Sequence, residues 1–117
     1  MTAAFKIISA EDWAEFQASG LYPGSAVDLS DGYIHMSTAA QLAGTAGKHY
    51  AGRDDLMLLT VALDDLGPSL KWEASRGGDL FPHLYADLPN AAVTQAHAFA
   101  VDADGTMRCL DGATPWA

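Results

Sequence analysis

Cysteine and basic residues are the scarcest features of this 117-residue sequence. Its single cysteine, Cys109, excludes an intrachain disulfide and a zinc site built from cysteines of one chain. Six scattered Lys and Arg residues stand against 15 Asp and Glu residues, which gives a net charge of -9. Because nucleic-acid binding depends on clustered Lys and Arg that neutralise phosphates, we expect no long DNA or RNA partner.

Long apolar runs are also missing. The longest, residues 56–63, is far shorter than the roughly 20 residues that a membrane-spanning helix needs. No charged segment followed by an apolar one opens the chain. We therefore expect a soluble, unexported, cytoplasmic protein with no membrane partner, and the charge balance does not exclude a small-molecule ligand. The sequence leaves a protein partner open.

Half of the residues are hydrophobic, which is enough for one core in a single domain, residues 1–117, with 111–117 as a loosely held tail. Ser9 followed by acidic residues predicts a helix that ends at Gly20. A spacing of three and four residues between apolar positions predicts a second helix over 39–50. Strands are predicted over 5–8, 33–37, 56–63, 70–74, 81–85, 93–101 and 106–110, with 56–63 in the centre of a sheet because it is apolar on both faces.

Two clusters of turn-forming residues over 21–32 predict a loop that leads into the strand at 33–37. Tyr22 and Ser25 are candidates for the lining of a pocket because they come shortly before that strand. The alternative is an ordinary surface loop.

The segment from Asp31 to Thr38 is the most informative stretch. Alternation puts Ile34 and Met36 on one face, and Tyr33, His35 and Ser37 on the other as a polar and aromatic row. Ser37 or Thr38 then caps the following helix, next to backbone N–H groups suited to an anion. We expect a binding site here, with a hydrogen-bonded structural role for His35 as the alternative.

The sequence Arg76-Gly77-Gly78 has two interpretations. A Gly-Gly pair can curl backbone N–H groups around an anion while the guanidinium pairs with it. The same pair is common in plain hairpin turns. The strand after it carries His83 and Tyr85 on one face, and Pro82 predicts an edge or strand-start position.

Other chemistries lack a sequence pattern. His35, His83, His97 and Glu73 are metal-binding residue types, but their spacing matches no zinc motif, so we expect no metal. Ser37 lacks the G-x-S-x-G elbow of hydrolases and more plausibly caps a helix or binds a ligand. His83 is suited to ligand hydrogen bonding or proton transfer because imidazole titrates near neutral pH.

The order Asp-Gly-Tyr-Ile-His-Met-Ser-Thr, Lys-Trp-Glu, Arg-Gly-Gly and Phe-Pro-His-Leu-Tyr resembles the bacterial family called domain of unknown function 952, over nearly the whole chain. That family is similar in fold to ADP-ribosyltransferases. The resemblance implies an α+β domain with two short helices and a split, mainly antiparallel sheet around an NAD-binding cleft.

The resemblance also implies roles for single residues. His35 and Thr38 look like the first-strand histidine and nearby hydroxyl that hold the ribose of NAD. Glu73 is the candidate for the glutamate that stabilises an oxocarbenium-like transition state, although it comes earlier in the chain than that glutamate usually does. Tyr33 or Tyr85 could stack on a planar ring. We thus expect NAD or a related nucleotide as ligand, with ADP-ribosyl transfer or NAD hydrolysis as the reaction, or else a module without catalysis that binds a small ligand or a protein.

Overall fold

The computed structural model describes residues 2–117, with the backbone alone at Arg76. Strands alternate with α-helices up to residue 49, and the rest of the chain forms strands joined by loops and short 3-10 turns. The α-helices are α1 Ala10–Ser19, α2 Ala26–Asp31 and α3 Ala39–His49. The strands are β1 Ala3–Ser9, β2 Leu21–Tyr22, β3 Ile34–His35, β4 Arg53–Ala62, β5 Leu70–Ala74, β6 Leu80–Leu84, β7 Leu88–Pro89, β8 Val93–Val101 and β9 Met107–Cys109. Each strand pairing among these residues is antiparallel, so the fold is α+β as expected.

The largest sheet has the strand order β1-β4-β8-β9. Its strand β4 is internal and buried on both faces: Leu58 and Leu59 are each 0% exposed and lie in two different apolar clusters. Phe16 of α1 packs in the Leu59 cluster, and Leu42 of α3 packs in the Leu58 cluster. The prediction of a central strand covered on both sides is confirmed.

Both predicted helices are present, α1 with its predicted ends and α3 one residue shorter than the predicted range 39–50. The Ser9 hydroxyl accepts a hydrogen bond from the Asp12 backbone N–H at 3.0 Å, and Gly20 ends α1 with a φ of 82°. Thr38 caps α3 in the same way, through the backbone N–H of Gln41.

The loop predicted over residues 21–32 is wrong, and so is the count of two helices, because this segment forms β2 and the third helix α2. Ser25 and Asp28 make a capping box: the Asp28 N–H donates to the Ser25 hydroxyl, and the Ser25 N–H donates to the Asp28 carboxylate. Gly24 precedes the box with a φ of 119°, and a Cβ there would lie 2.7 Å from Cβ of Asp28. Glycine is therefore required at that position.

The second sheet has the order β3-β6-β5, so Pro82 lies on a central strand and the predicted edge or strand-start position is wrong. The Pro82 carbonyl accepts a hydrogen bond from the Met36 N–H at 3.1 Å, just past the end of β3. The nitrogen of Pro82 faces the same side as this carbonyl, where β3 has only two residues, so its missing N–H disrupts little pairing.

The two sheets join at one bridge between Phe5 of β1 and Ser37, which exchange both backbone hydrogen bonds, at 2.7 and 2.9 Å. At the other end of the chain, Trp116 packs against Phe99 with ring centroids 6.1 Å apart. No helix among the described residues is long and apolar enough to cross a membrane.

Candidate functional site

A cavity of about 540 Å³ opens where the two sheets join. Its wall is formed by residues of β1, α2, β3, α3, the start of β4 and β6, and by the segments just after β3 and β5. The polar residues of this wall are Lys6, Ser25, Asp28, Asp31, His35, Ser37, Thr45, His49, Tyr50, Arg53, Ser75 and His83. A volume in the range of about 300–1,000 Å³ with a few convergent polar groups is typical of small-molecule sites.

Asp28 is the most connected side chain of the wall and is only 2% exposed. Its carboxylate accepts hydrogen bonds from Lys6 Nζ at 2.9 and 3.2 Å and from the backbone N–H of Ser25 at 3.0 Å. The backbone N–H of His35 lies 3.1 Å away, and Nδ1 of the His35 ring 2.6 Å away. One buried carboxylate therefore links β1, α2 and β3.

The electrostatics of this group favour an ionised Asp28. Burial alone would raise the pKa of its carboxyl group, but hydrogen bonding to His35 and the charge of Lys6 outweigh burial and hold that pKa below its usual range. Burial lowers the pKa of the Lys6 ammonium group, and the attraction of Asp28 opposes this shift. The pair is a buried ion pair whose members depend on each other.

His35 is about one third exposed and lies between two carboxylates. Asp28 contacts its Nδ1, and Asp31 contacts its Nε2 at 2.9 Å. Ionised carboxylates only accept hydrogen bonds, so both contacts are made together only when both ring nitrogens carry a proton. Because Asp31 is exposed, a ligand can replace it at Nε2 while Asp28 keeps the ring oriented.

Hydroxyl groups line the neighbouring wall. The Ser37 hydroxyl is buried, lies 2.9 Å from the hydroxyl of Thr45, and borders the cavity with it. Ser25 borders the cavity from the start of α2. These hydroxyls donate and accept, as recognition of a sugar or amide requires.

His83 faces His35 across the pairing of β3 with β6 and is 4% exposed. Its Nδ1 lies 2.9 Å from the carboxylate of Glu73, which also accepts a hydrogen bond from the Tyr85 hydroxyl at 2.7 Å. His83 borders the cavity, whereas Glu73 is not one of the residues that line it. Hydrogen bonds from His83 and Tyr85 lower the pKa of the Glu73 carboxyl group. The same contact raises the pKa of Tyr85 to about 12.

The ring of Tyr33 packs against the rings of three neighbours in tilted arrangements. Its ring centroid is 4.1 Å from that of His83, 4.6 Å from that of His35 and 5.1 Å from that of Tyr85. Tyr33 and Tyr85 border a second, smaller depression of about 220 Å³ rather than the main cavity. The two tyrosines thus help to fix the positions of the two histidine rings. Ring stacking of Tyr33 or Tyr85 with a ligand stays a prediction.

The other predicted residues lie apart from the cavity. Tyr22 belongs to the apolar core beside Phe16, where its hydroxyl has no hydrogen-bond partner among the described residues. Thr38 caps α3. Gly77 and Gly78 are exposed, have positive φ values and form a hairpin turn in which the Gly78 N–H donates to the Ser75 carbonyl. The predicted anion contact of the Arg76 side chain lies outside the described residues.

Eight polar residues of the wall were not predicted from the sequence as site residues, among them Lys6, Asp28 and Arg53. The sequence did contain a signal for Lys6, because a lysine inside the apolar run 5–8 requires a buried partner. It also contained one for Asp28, because Ser25-x-x-Asp28 repeats the Ser9-x-x-Asp12 pattern that correctly predicted α1. The Arg53 guanidinium contacts the exposed Asp55 through two nitrogens, at 3.1 and 3.0 Å. This geometry matches that of phosphate recognition.

Comparisons with known proteins find a protein family and a protein of known structure that are similar to this chain. The family described as "Protein of unknown function (DUF952)" matches residues 7–96. A crystal structure of protein CC0527 from Caulobacter crescentus is 47% identical with a TM-score of 0.87, and the alignment covers 92% of this chain and 94% of that one. The solution NMR structure of CC0527 is 48% identical with a TM-score of 0.78, covering 90% of each chain. No curated protein matches.

Proposed function

The chain belongs to the DUF952 family, and we propose that its cavity binds NAD or a related nucleotide, with His35 as the residue that contacts the ligand. The observation that carries the proposal is the oriented imidazole. Asp28 holds Nδ1 at 2.6 Å inside the protein, while Nε2 is directed to the exposed Asp31 at the cavity wall. A ribose hydroxyl that accepts from Nε2 can also donate to Asp31.

The surroundings of His35 support a nucleotide over a purely apolar ligand. The hydroxyls of Ser25, Ser37 and Thr45 border the same space and offer hydrogen bonds to a sugar or to a carboxamide. Arg53 borders it as well and can exchange the carboxylate of Asp55 for a pyrophosphate oxygen. The resemblance of the segment around His35 to the ribose-binding segment of ADP-ribosyltransferases points the same way.

The geometry favours binding without catalysis, because Glu73 contacts His83 at 2.9 Å but does not line the cavity. In the catalytic form, the bond between nicotinamide and C1 of the ribose breaks and nicotinamide leaves with the electron pair. Water or an acceptor nucleophile then bonds to that carbon and loses a proton. The carboxylate that stabilises the developing positive charge must lie next to it, so this form requires the Glu73 carboxylate to enter the cavity.

Isothermal calorimetry with NAD tests binding. The parent protein should bind one NAD per chain, and His35→Ala should lose at least about tenfold in affinity, the equivalent of one hydrogen bond to a charged group. His97→Ala is the matched control, because His97 also pairs with a carboxylate, Asp111, but lies outside the cavity wall. Absence of heat with the parent protein, or equal losses in the two variants, would contradict the proposal.

Nicotinamide release separates the two forms. Incubation of the parent protein with NAD, followed by chromatography, should leave NAD intact if the protein only binds it. Release of nicotinamide that stops in Glu73→Gln would establish the catalytic form instead. The protein-interaction alternative is favoured if neither NAD, ADP-ribose nor nicotinamide binds.

A further inference from the structure

A second group of side chains lies away from the cavity, at the hairpin formed by β8 and β9. His97, Cys109 and Asp111 each offer one ligand atom, and these three atoms lie within 4.8 Å of one another. They are the one such group of three or more metal-binding residue types among the described residues. None of the three borders the cavity.

The antiparallel register explains how residues so far apart in sequence meet. Phe99 pairs with Cys109, and two residues further along each strand His97 comes opposite Asp111. Residues two apart on a strand share a face, so His97, Cys109 and Asp111 all project from the same side of the hairpin. Nδ1 of His97 lies 2.7 Å from the Asp111 carboxylate, which confirms that the register continues past the end of β9.

The geometry points to a metal site, and we propose that His97 Nδ1, Cys109 Sγ and an Asp111 carboxylate oxygen bind a divalent zinc ion, with water as the fourth ligand. Nitrogen, thiolate sulfur and carboxylate oxygen are the ligand types that Zn²⁺ takes. Bond lengths of about 2.0–2.3 Å in a tetrahedron separate ligand atoms by roughly 3.3–3.8 Å. The His97 nitrogen and the Asp111 oxygen are closer than this, at 2.7 Å, so the exposed Asp111 side chain has to move away from His97 to share an ion with it.

The residues around the three ligands suit this role. Nε2 of His97 lies 3.1 Å from the Gln95 side-chain oxygen, so a proton on Nε2 is held there and Nδ1 is left to face the metal. Cys109 is 6% exposed and the His97 side chain 17%, whereas the Asp111 side chain is 57% exposed. The site is thus shielded on the protein side and open to ion entry on the other.

A bound ion would fix the start of the C-terminal segment to β8. Asp111 begins this segment, and Trp116 within it packs on Phe99 of the same strand. A metal that binds the folded protein alone stabilises it in proportion to the logarithm of its concentration over Kd. Zinc binding should therefore raise the melting temperature of the whole chain. The proposal departs from the expectation of no metal, because a histidine and an aspartate complete a site that one cysteine could not form.

Cobalt(II) titration of the tag-free reduced protein, followed by optical absorption, tests the site. Because Cys109 is the sole cysteine, a thiolate-to-cobalt charge-transfer band can arise only from it. The band should saturate at one cobalt per chain and disappear when zinc is added. Cys109→Ser and His97→Ala should each lose it, and Asp111→Asn should weaken cobalt binding at least tenfold.

Two controls and one independent measurement accompany the cobalt titration. His49→Ala removes an exposed histidine of α3 and should bind cobalt as the parent does. Circular dichroism verifies that each variant is folded. Alkylation of the Cys109 thiol gives a test that needs no substitution, because zinc should slow this reaction in the parent protein. A parent protein without the charge-transfer band and without zinc protection would overturn the proposal, and so would a band that persists in His97→Ala.

Discussion

The carboxylate of Asp28 lies 2.6 Å from Nδ1 of His35 and 2.9 Å from Nζ of Lys6, so the buried ammonium group and the partly exposed imidazole share one acceptor. This contact ties the position of the candidate ligand-binding residue to the core of the protein. The stability of the fold and the geometry of the cavity should respond together when Asp28 is changed.

Asp28→Asn should cost about 3–5 kcal/mol in the free energy of unfolding, because it leaves the Lys6 ammonium group buried without its counter-charge. The double variant Lys6→Met/Asp28→Asn should be less destabilised than the sum of the two single variants. Urea unfolding followed by tryptophan fluorescence measures each value. Asp65→Asn, which changes an exposed aspartate, is the control and should stay within about 0.5 kcal/mol of the parent. Strict additivity would show that Lys6 and Asp28 do not depend on each other.

The acid limb of the stability curve should depend on the same residue. The folded-state pKa of Asp28 lies below the ordinary value of about 3.9, so the folded state binds this proton less readily than the unfolded state does. The resulting stabilisation is fully present above about pH 5 and is lost as the pH falls through the unfolded value toward the folded one. In Asp28→Asn the loss of stability between about pH 5 and pH 2 should be smaller than in the parent. Equally steep acid limbs would contradict this assignment.

Arg53 should contribute to binding only when the ligand carries phosphates. Arg53→Gln should weaken NAD binding by about tenfold and leave binding of nicotinamide riboside unchanged, because it removes a bidentate phosphate contact worth about 1.5–3 kcal/mol at most. Arg108→Gln is the matched control: Arg108 makes a comparable contact with Asp102 but lies outside the cavity wall. Calorimetry on both ligands measures the difference. Equal weakening for the two ligands would place the phosphates elsewhere.

Glu73→Gln should shift the ionisation of Tyr85. The hydrogen bond to Glu73 raises the pKa of the Tyr85 hydroxyl to about 12, and without the carboxylate that value should fall toward the ordinary 10 or so. Ultraviolet titration of tyrosinate, with Tyr85→Phe to identify the contribution of Tyr85, measures the shift. Glu11→Gln on α1 is the control and should leave the titration curve unchanged. An unaltered curve in Glu73→Gln would show that the contact is absent in solution.

Sequence patterns predicted the elements whose signals are local. The alternation of bulky and small residues over 93–101 gave the bounds of β8, and caps gave the ends of α1. Helix α2 was missed because its six residues carry no apolar stripe, and Val27 and Leu29 are exposed in it. A helix or strand can be predicted from the sequence when the residues that determine it all lie within that one segment.

The candidate site was less predictable because its contacts join distant segments. Lys6 and Asp28 are 22 residues apart, and neither alone indicates a charge buried against the other. His35 was predicted because strand alternation places its side chain on the other face of the strand from Ile34, which is buried in the core. His97, Cys109 and Asp111 come together only through the register of a hairpin, which their spacing along the chain does not encode.

Nuclear magnetic resonance of the histidine ring nitrogens during an NAD titration tests the central claim most directly, because it observes His35 itself. We predict that the Nε2 signal of His35 shifts to saturation at one NAD per chain, while its Nδ1 keeps the hydrogen bond to Asp28 and the signals of His97 stay in place. A spectrum in which the His35 ring signals do not move, at NAD concentrations up to the millimolar range typical of weak small-molecule binding (about 1 mM), would contradict the account.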